Sequence, residues 1–454
     1  MLIFVLTQCA NAKSVGKHYY RKDQTHTAMI KRSILFSFAM LSALFSQAQS
    51  LDECRRLARE HYPEIKQYNL IAETEQYNIS NAMRAWIPHV VLSGQATYQS
   101  AAPTYPDDFN AMLAAYGMEM SGIRKDQYKI AIDVAQNIWD GGVSNVNREI
   151  AKADAAEQRS MVDVSLYDLQ SRVDNIYFGI LLLDERVAQT ETMIEVLASN
   201  LNRIRVYHKN GVAMQSDVDA MEAELLTAHQ TLEQVKASRA SYRRILETFI
   251  GQGLTDEKLQ RPAMTDVVDR SSARPELMLF NAQNDKINAQ RKAVTASLMP
   301  QFSAFAQGFY GYPGLDMFKG MMSSEWSLNA IVGVRMSWNI GALYYRNNNM
   351  GKLDAAEKQV EIQRDIFLFN TRMQVTQDDG EIERLRNALK DDDRIVELRR
   401  SVRIAAESKM ENGVIDATDL MRKIADETTA TLNRSTHEIE LLQAIYRLKT
   451  TLNQ

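Results

Sequence analysis

The feature that most constrains this chain is that one unit is written in it twice. His61-Tyr62-Pro63-Glu64-Ile65 resembles Ala273-Arg274-Pro275-Glu276-Leu277 at an offset of 212, and Trp86-Ile87-Pro88 matches Leu298-Met299-Pro300 at the same offset. Asp140-Gly141-Gly142 then matches Ile340-Gly341-Ala342 at 200, and Asn210-Gly211-Val212 with Ser216-Asp217-Val218 matches Asn412-Gly413-Val414 with Thr418-Asp419-Leu420 at 202. Four ordered matches with near-constant spacing indicate an internal duplication, which sets the architecture before any local reading. The offset drops between the prolines and the glycines, so one loop is longer in the first copy: 101–127 against roughly 311–326. The resulting division is 1–48 as upstream extension and signal peptide, 49–253 as the first repeat, 254–273 as a linker and 274–454 as the second repeat.

The eight prolines mark where helices can run. None lies between 107 and 261 and none follows 313, and proline is strongly unfavourable in a helix interior. Within the first window Leu166, Leu169, Val173, Ile176, Ile180, Leu183, Val187, Thr190, Ile194, Leu197, Leu201 and Ile204 keep 3–4 spacing. That spacing predicts a coiled-coil seam on a helix over Val143–Lys209, roughly 100 Å long. Its counterpart is Leu343–Glu411. Shorter helices are expected before each strand pair (Leu51–Ala85, Pro275–Ser297) and after each long helix (Ser216–Phe249, Thr418–Leu452). His208 falls on the seam, where a partly buried interface role is expected.

After Pro88 the period changes to 2. Val90, Leu92, Gly94, Ala96 and Tyr98 oppose Val91, Ser93, Gln95, Thr97 and Gln99. Tyr128, Ile130, Ile132 and Val134 oppose Lys129, Ala131, Asp133 and Ala135. Two similar strands follow, 301–310 and 327–338, the second with Val332 and Val334 on its apolar side. Each is about ten residues, the length that crosses a bilayer when tilted. Lipid on one side and water on the other explains the alternation, with Val90, Leu92, Ile130, Ile132, Val332 and Val334 facing lipid, and Tyr98, Tyr310 and Trp338 at the interfaces. A half-buried soluble sheet alternates in the same way. Four such strands without spare helices to cover them favour the membrane, and four cannot close a barrel alone, so the barrel is expected to be shared between protomers.

Met29-Ile30-Lys31-Arg32 followed by the apolar run Ile34–Phe45 and Ser46-Gln47-Ala48 is a secretory signal pattern, with Met29 as the start and cleavage after Ala48. Processing leaves 47 basic and 56 acidic residues, a formal charge of −9, which argues against nucleic acid as a partner. Only Cys54 remains, so no intrachain disulfide is expected. No later stretch is long and apolar enough for a spanning helix.

The order Pro63-Glu64, Trp86-Ile87-Pro88, alternating strand, Ile138-Trp139-Asp140-Gly141-Gly142, long helix and Asn210-Gly211-Val212, repeated once, resembles the TolC-like outer-membrane efflux protein family over roughly 51–452. The resemblance implies a mainly α fold with a transmembrane β-barrel: long coiled-coil helices plus four strands per protomer, a homotrimer giving a twelve-stranded barrel and a helical periplasmic tunnel. It implies a passive outer-membrane exit duct of a tripartite efflux or type I secretion system, partnered by a periplasmic adaptor and an inner-membrane transporter and set in outer-membrane lipid. It also implies a periplasmic aperture near the glycine turns, Gly211 and Gly413. In the family a carboxylate six residues beyond the second glycine lines that aperture; the matching residue is Asp419, with Asp217 as its first-copy equivalent. Either Asp could instead serve the start of its helix. Arg422 stands where some members carry a second carboxylate. The Tyr and Arg that latch the aperture in the family fall at Met410 and Ile415, which cannot make those bonds.

No enzyme is expected. The chain has no phosphate loop, no His-Glu-x-x-His and no Cys pair. No cofactor or metal is implied, although Met112, Met118, Met120, Met317, Met321 and Met322 fall in the two presumed external loops and thioethers can hold soft cations. The alternative class is a soluble periplasmic coiled-coil adaptor or structural protein.

Overall fold

A computed structural model describes residues 50–118, 122–254, 258–265 and 269–454. The signal segment and Met120 lie outside the described residues, as do parts of the 254–273 linker. The elements are α1 (Leu51–His61), α2 (Gln67–Met83), β1 (His89–Tyr98), α3 (Asp107–Ala115), β2 (Asp126–Trp139), α4 (Val143–Lys209), α5 (Gln215–Ile250), α6 (Pro275–Ala296), β3 (Gln301–Tyr312), α7 (Met317–Met322), β4 (Ser327–Ser337), α8 (Ala342–Glu411) and α9 (Ala417–Leu452). The two copies are closely matched. The long helices have 67 and 70 residues, and the helices after them 36 each. The helix expected over Leu51–Ala85 is instead two helices. α1 ends at His61, and a 3-10 turn from Pro63 to Lys66 separates it from α2. A ring at Pro63 disfavours helical backbone at Tyr62, whose ψ is 128°.

The chain forms two compact units, and each draws on both repeats. One takes the N-terminal segment ending at Tyr62, Gln170–Asp266 and Gly380–Arg447; the other takes Pro63–Leu169, Val267–Asp379 and Leu448–Gln454. Within the first unit, Val173, Ile180, Leu197, Leu201 and Ile204 of the seam are buried. Between 173 and 184 the buried stripe is wider than a seam and includes Asp174, Tyr177, Phe178, Leu181 and Asp184. The cause is that several elements pack there. Arg55 of α1 holds Asp174 through a two-nitrogen fork at 2.7 and 2.6 Å. The Tyr177 hydroxyl donates to the Gln260 carbonyl at 2.6 Å, and the Phe178 and Tyr446 rings lie 5.7 Å apart. Cys54 is buried beside them, and burial pushes its thiol up to about 12, so it is inert near neutral pH.

Within the second unit the four strands form one antiparallel sheet in the order β1-β2-β3-β4. The central pair, β2 with β3, joins the two repeats. The register lines up the apolar positions: Val90 with Val134, Ala306 and Val332; Leu92 with Ile132, Gly308 and Ala330; Gly94 with Ile130, Tyr310 and Leu328. Directly opposed residues share a face, so one face of the sheet is apolar along its middle, with Asp126 and Gln136 on it only toward the ends of β2. At the end of β2 the register slips by one between Asn137 and Trp139. This bulge places Trp139 opposite Phe302 and so on the apolar face, which an unbroken strand would have denied it.

Candidate functional site

Two regions carry the residues singled out from sequence: the sheet, and the turns joining α4 to α5 and α8 to α9. In the sheet, Val90, Leu92, Ile130, Ile132, Val332 and Val334 are all exposed, from 51% for Ile132 to 78% for Val332. Leaving six such side chains in water forgoes on the order of 10 kcal/mol relative to burial, which is comparable to the net stability of a whole domain. The opposite face is mixed, with charged and amide side chains among a few apolar ones. Lys129 donates to the Gln307 side chain at 3.0 Å, and Gln307 reaches Asp133 across the β2–β3 pair. Lys129 also lies 4.3 Å from the Phe309 ring centre and Arg335 4.9 Å from that of Phe305. Of the loop methionines, Met112, Met118, Met317 and Met322 are exposed.

The two helix turns have the same backbone. In the first, the Gly211 N–H donates to the His208 carbonyl at 3.0 Å and the Val212 N–H to Tyr207 at 2.9 Å. In the second, Gly413 donates to Met410 at 3.0 Å and Val414 to Lys409 at 2.9 Å. This is a Schellman closure. It needs a left-handed residue, supplied by Gly211 (φ 73°) and Gly413 (φ 66°). No atom lies within 4 Å of a Cβ built on either glycine, so the requirement is conformational rather than steric. His208 is exposed, and its Nδ1 lies 3.0 Å from the Ala213 carbonyl; it belongs to the turn rather than to a buried interface.

The carboxylates beyond the turns do different work. Asp217 reaches back and accepts from the Met214 N–H at 2.9 Å. In the second turn Asp416 stands where the first has Met214, and its carboxylate accepts from the Asp419 N–H at 2.8 Å. The two bonds are opposite halves of a capping box, and among the described residues the Asp419 carboxylate accepts no backbone N–H. It is 50% exposed and faces Arg422 at 3.7 Å. Such an exposed pair is weak. Asp416 escaped the sequence reading, although an Asp four residues before Leu420 was a visible cap signal. Met410 is buried and Ile415 half-buried in the core that joins both turns, built on Leu197, Leu201, Ile204, Met221, Leu420 and Ile424.

A second feature missed from sequence is an apolar stripe on α8. Ile362, Ile366, Phe369 and Met373, at helical spacing, are all exposed. Further along the same helix Ile395, Leu398 and Val402 are exposed as well.

The strand-to-helix joints also differ between copies. Asp140 caps α4, accepting from the Gly142 and Ser144 N–H groups at 2.9 and 2.8 Å and from the Ser144 hydroxyl. Burial opposes its ionisation, but these hydrogen bonds prevail and hold its carboxyl below the usual range. Its second-copy counterpart, Ile340, is exposed and cannot cap.

No helix among the described residues is long and apolar enough to cross a membrane, which leaves a barrel open. Residues 55–252 match the family model described as outer membrane efflux protein. No curated protein matches the sequence. Among solved structures, the chain is similar to the outer membrane protein VceC from Vibrio cholerae, with 14% identity and a TM-score of 0.64 over 88% of this chain and 94% of that one. It is also similar to the outer-membrane channel OprN, with 15% identity and a TM-score of 0.63 over 88% and 89%. The CmeC outer membrane channel of Campylobacter jejuni matches with 12% identity and a TM-score of 0.61 over 88% and 85%. At these identities the structures speak for the fold, and the family model speaks for the sequence of the first repeat. By sequence, residues 55–252 are thus similar to the outer membrane efflux protein family, and by fold 88% of the chain is similar to these outer-membrane proteins.

Proposed function

We propose that this protein is the passive outer-membrane exit duct of a tripartite efflux or type I secretion system, acting as a homotrimer with a periplasmic adaptor and an inner-membrane transporter. The observation that carries the reading is the sheet. One face is apolar along its middle and exposed, the other carries charged and amide side chains among a few apolar ones, and β1 and β4 stand at the sheet's two edges. An open edge is untenable in hydrocarbon, and four strands are too few to close. Three copies, β4 of one beside β1 of the next, give twelve strands with lipid outside and Lys129, Asp133, Gln307 and Arg335 toward water. The stripe Ile362–Met373 on α8 supports the same assembly, because it is an apolar helix surface that the described residues leave exposed.

In this reading Asp419 from three protomers forms the ring at the periplasmic aperture, and Arg422 moderates its field. Gly211 and Gly413 close the turns, and Asp217 serves its helix start. A ring of carboxylates attracts cations and disfavours anions. The chemistry is conduction rather than catalysis.

Fractionation tests the proposal. The protein is expected with outer membranes, extractable only by detergent and migrating as a trimer. Recovery as a soluble monomer from the periplasm overturns it.

A further inference from the structure

Below the sheet the chain changes character abruptly. The apolar face ends in tryptophans. The β2 bulge turns Trp139 onto that face, and Trp338 follows directly on the end of β4, two residues past Met336. Trp86 lies just before β1. All three are exposed. They are held in place: the Trp338 Nε1–H donates to the Leu298 carbonyl at 3.0 Å, and Gln136 and Asn137 donate to the carbonyls of Trp86 and Ala85 at 2.8 and 3.0 Å. The fourth tryptophan, Trp326, is at the opposite end of the strands, between the Tyr128 and Tyr310 rings.

Immediately beyond the tryptophans the charge is one-sided. The segments 84–88, 139–152, 291–300 and 338–352 hold seven Lys or Arg and two carboxylates, in a chain whose formal charge is −4. One of the two carboxylates, Asp140, is spent as a helix cap. Lys292 is paired with Glu149 at 2.8 Å, and Arg291 with Asp354 and Glu357 at 2.7 and 2.6 Å. Arg84, Lys152, Arg346 and Lys352 are exposed and make no ion pair among the described residues. Arg84 and Arg346 sit within about two helical turns of the strand ends. An apolar groove of about 420 Å³, lined by Val146, Ala296, Met299 and Met350, opens among these segments with Arg291 and Lys292 at its side.

Unpaired cations next to an exposed apolar, aromatic rim match a molecule with a hydrocarbon tail and an anionic head. We propose that this joint is a binding collar for anionic phospholipids of the leaflet on the helix side, with Arg84 and Arg346 holding the headgroup phosphate and Trp86, Trp139 and Trp338 lying against the upper acyl chain. The proposal rests on the membrane reading above. Its surface is continuous with the face that reading assigns to lipid, and its charge is complementary to the head. The collar selects anionic over zwitterionic lipid, because only the former leaves the phosphate charge unbalanced by its own head.

Three of the four tryptophans report on the collar, so bromine quenching tests it. The full-length protein carrying Trp326→Phe is reconstituted in vesicles of phosphatidylcholine mixed with phosphatidylglycerol, one lipid brominated at a time. Brominated phosphatidylglycerol is expected to quench more strongly, and the preference should shrink with added salt. A basic side chain at an anionic surface is worth about fivefold in affinity. R84Q or R346Q should therefore lower the preference about fivefold, and the double variant should bring it close to unity with the trimer intact. Equal quenching by both lipids overturns the proposal, as does a preference that survives the double variant. Absence of quenching by either lipid overturns the membrane reading itself, and the collar with it.

Discussion

The two repeats keep one backbone and give their side chains different duties. Both helix turns close by the same pair of hydrogen bonds on a left-handed glycine. Beyond that turn the first repeat spends Asp217 on capping, whereas the second caps with Asp416 and leaves Asp419 exposed. At the strand-to-helix joint the asymmetry reverses: Asp140 caps the first repeat, and Ile340 in the second has no polar side chain to do so. Geometry that the duplicated fold demands is held by glycine, which has few substitutes. Capping carboxylates have several, so the two copies can place them differently.

The largest expected effect tests whether the repeats are equivalent in the sheet. Ile132→Arg and Val332→Arg should each cost about 2–4 kcal/mol near a bilayer midplane and reduce trimer recovered from membranes. Gln95→Arg and Ser337→Arg, on the opposite face, should leave the yield unchanged. A loss confined to one repeat would show that the two strand pairs are not equally in lipid.

The strand-to-helix joints come next. Asp140→Ala should destabilise by about 1–2 kcal/mol in thermal unfolding of the detergent-solubilised protein, whereas Ile340→Asp should be neutral or stabilising. The Asp140 contribution also has a pH signature. Because its folded carboxyl titrates below the ordinary range, its stabilisation is present above the ordinary carboxylate value and is lost as pH falls through the lowered one. The gap between wild type and Asp140→Ala should therefore close in acid. A gap that widens in acid contradicts the assignment.

The glycine turns should respond alike. Gly211→Ala and Gly413→Ala each force a side chain into left-handed backbone and should cost about 1 kcal/mol, with no steric addition in either copy. Unequal losses would mean that the open space around one turn is filled in the assembly.

The smallest effect on stability should carry the largest on conduction. Asp419→Asn should barely alter unfolding and should weaken cation selectivity and multivalent-cation block in planar bilayers. Asp217→Asn should cost a few tenths of a kcal/mol, within the range of an exposed helix-end charge, and leave selectivity unchanged. The reverse pattern would move the aperture to the first repeat.

Much of the fold was legible because its signals are periodic. Proline-free windows and the repeat located α4 and α8, 3–4 spacing gave the seam of α4, and alternation located the four strands. The boundaries that failed are local. The break at Pro63 and the bulge before Trp139 depend on one residue each, and the bulge changes which face a side chain joins. The coiled-coil seam was read too narrowly, since Asp174, Tyr177 and Asp184 are buried only because other elements pack against that part of α4. At the turns, the motif located Asp217 and Asp419 but could not divide the capping between them.

What the sequence by itself determined is the duplication, the helix and strand content and the amphipathic faces, because each follows from spacing along the chain. The tertiary structure decided what spacing does not encode. It paired β2 with β3 across the repeats, aligned the apolar positions of four strands into one face, left Ile362–Met373 exposed, and turned the Asp217 carboxylate to the Met214 N–H but the Asp419 carboxylate to Arg422. Those outcomes depend on distances between residues far apart in the chain or on which of several nearby partners a side chain takes, and neither is a property of local pattern.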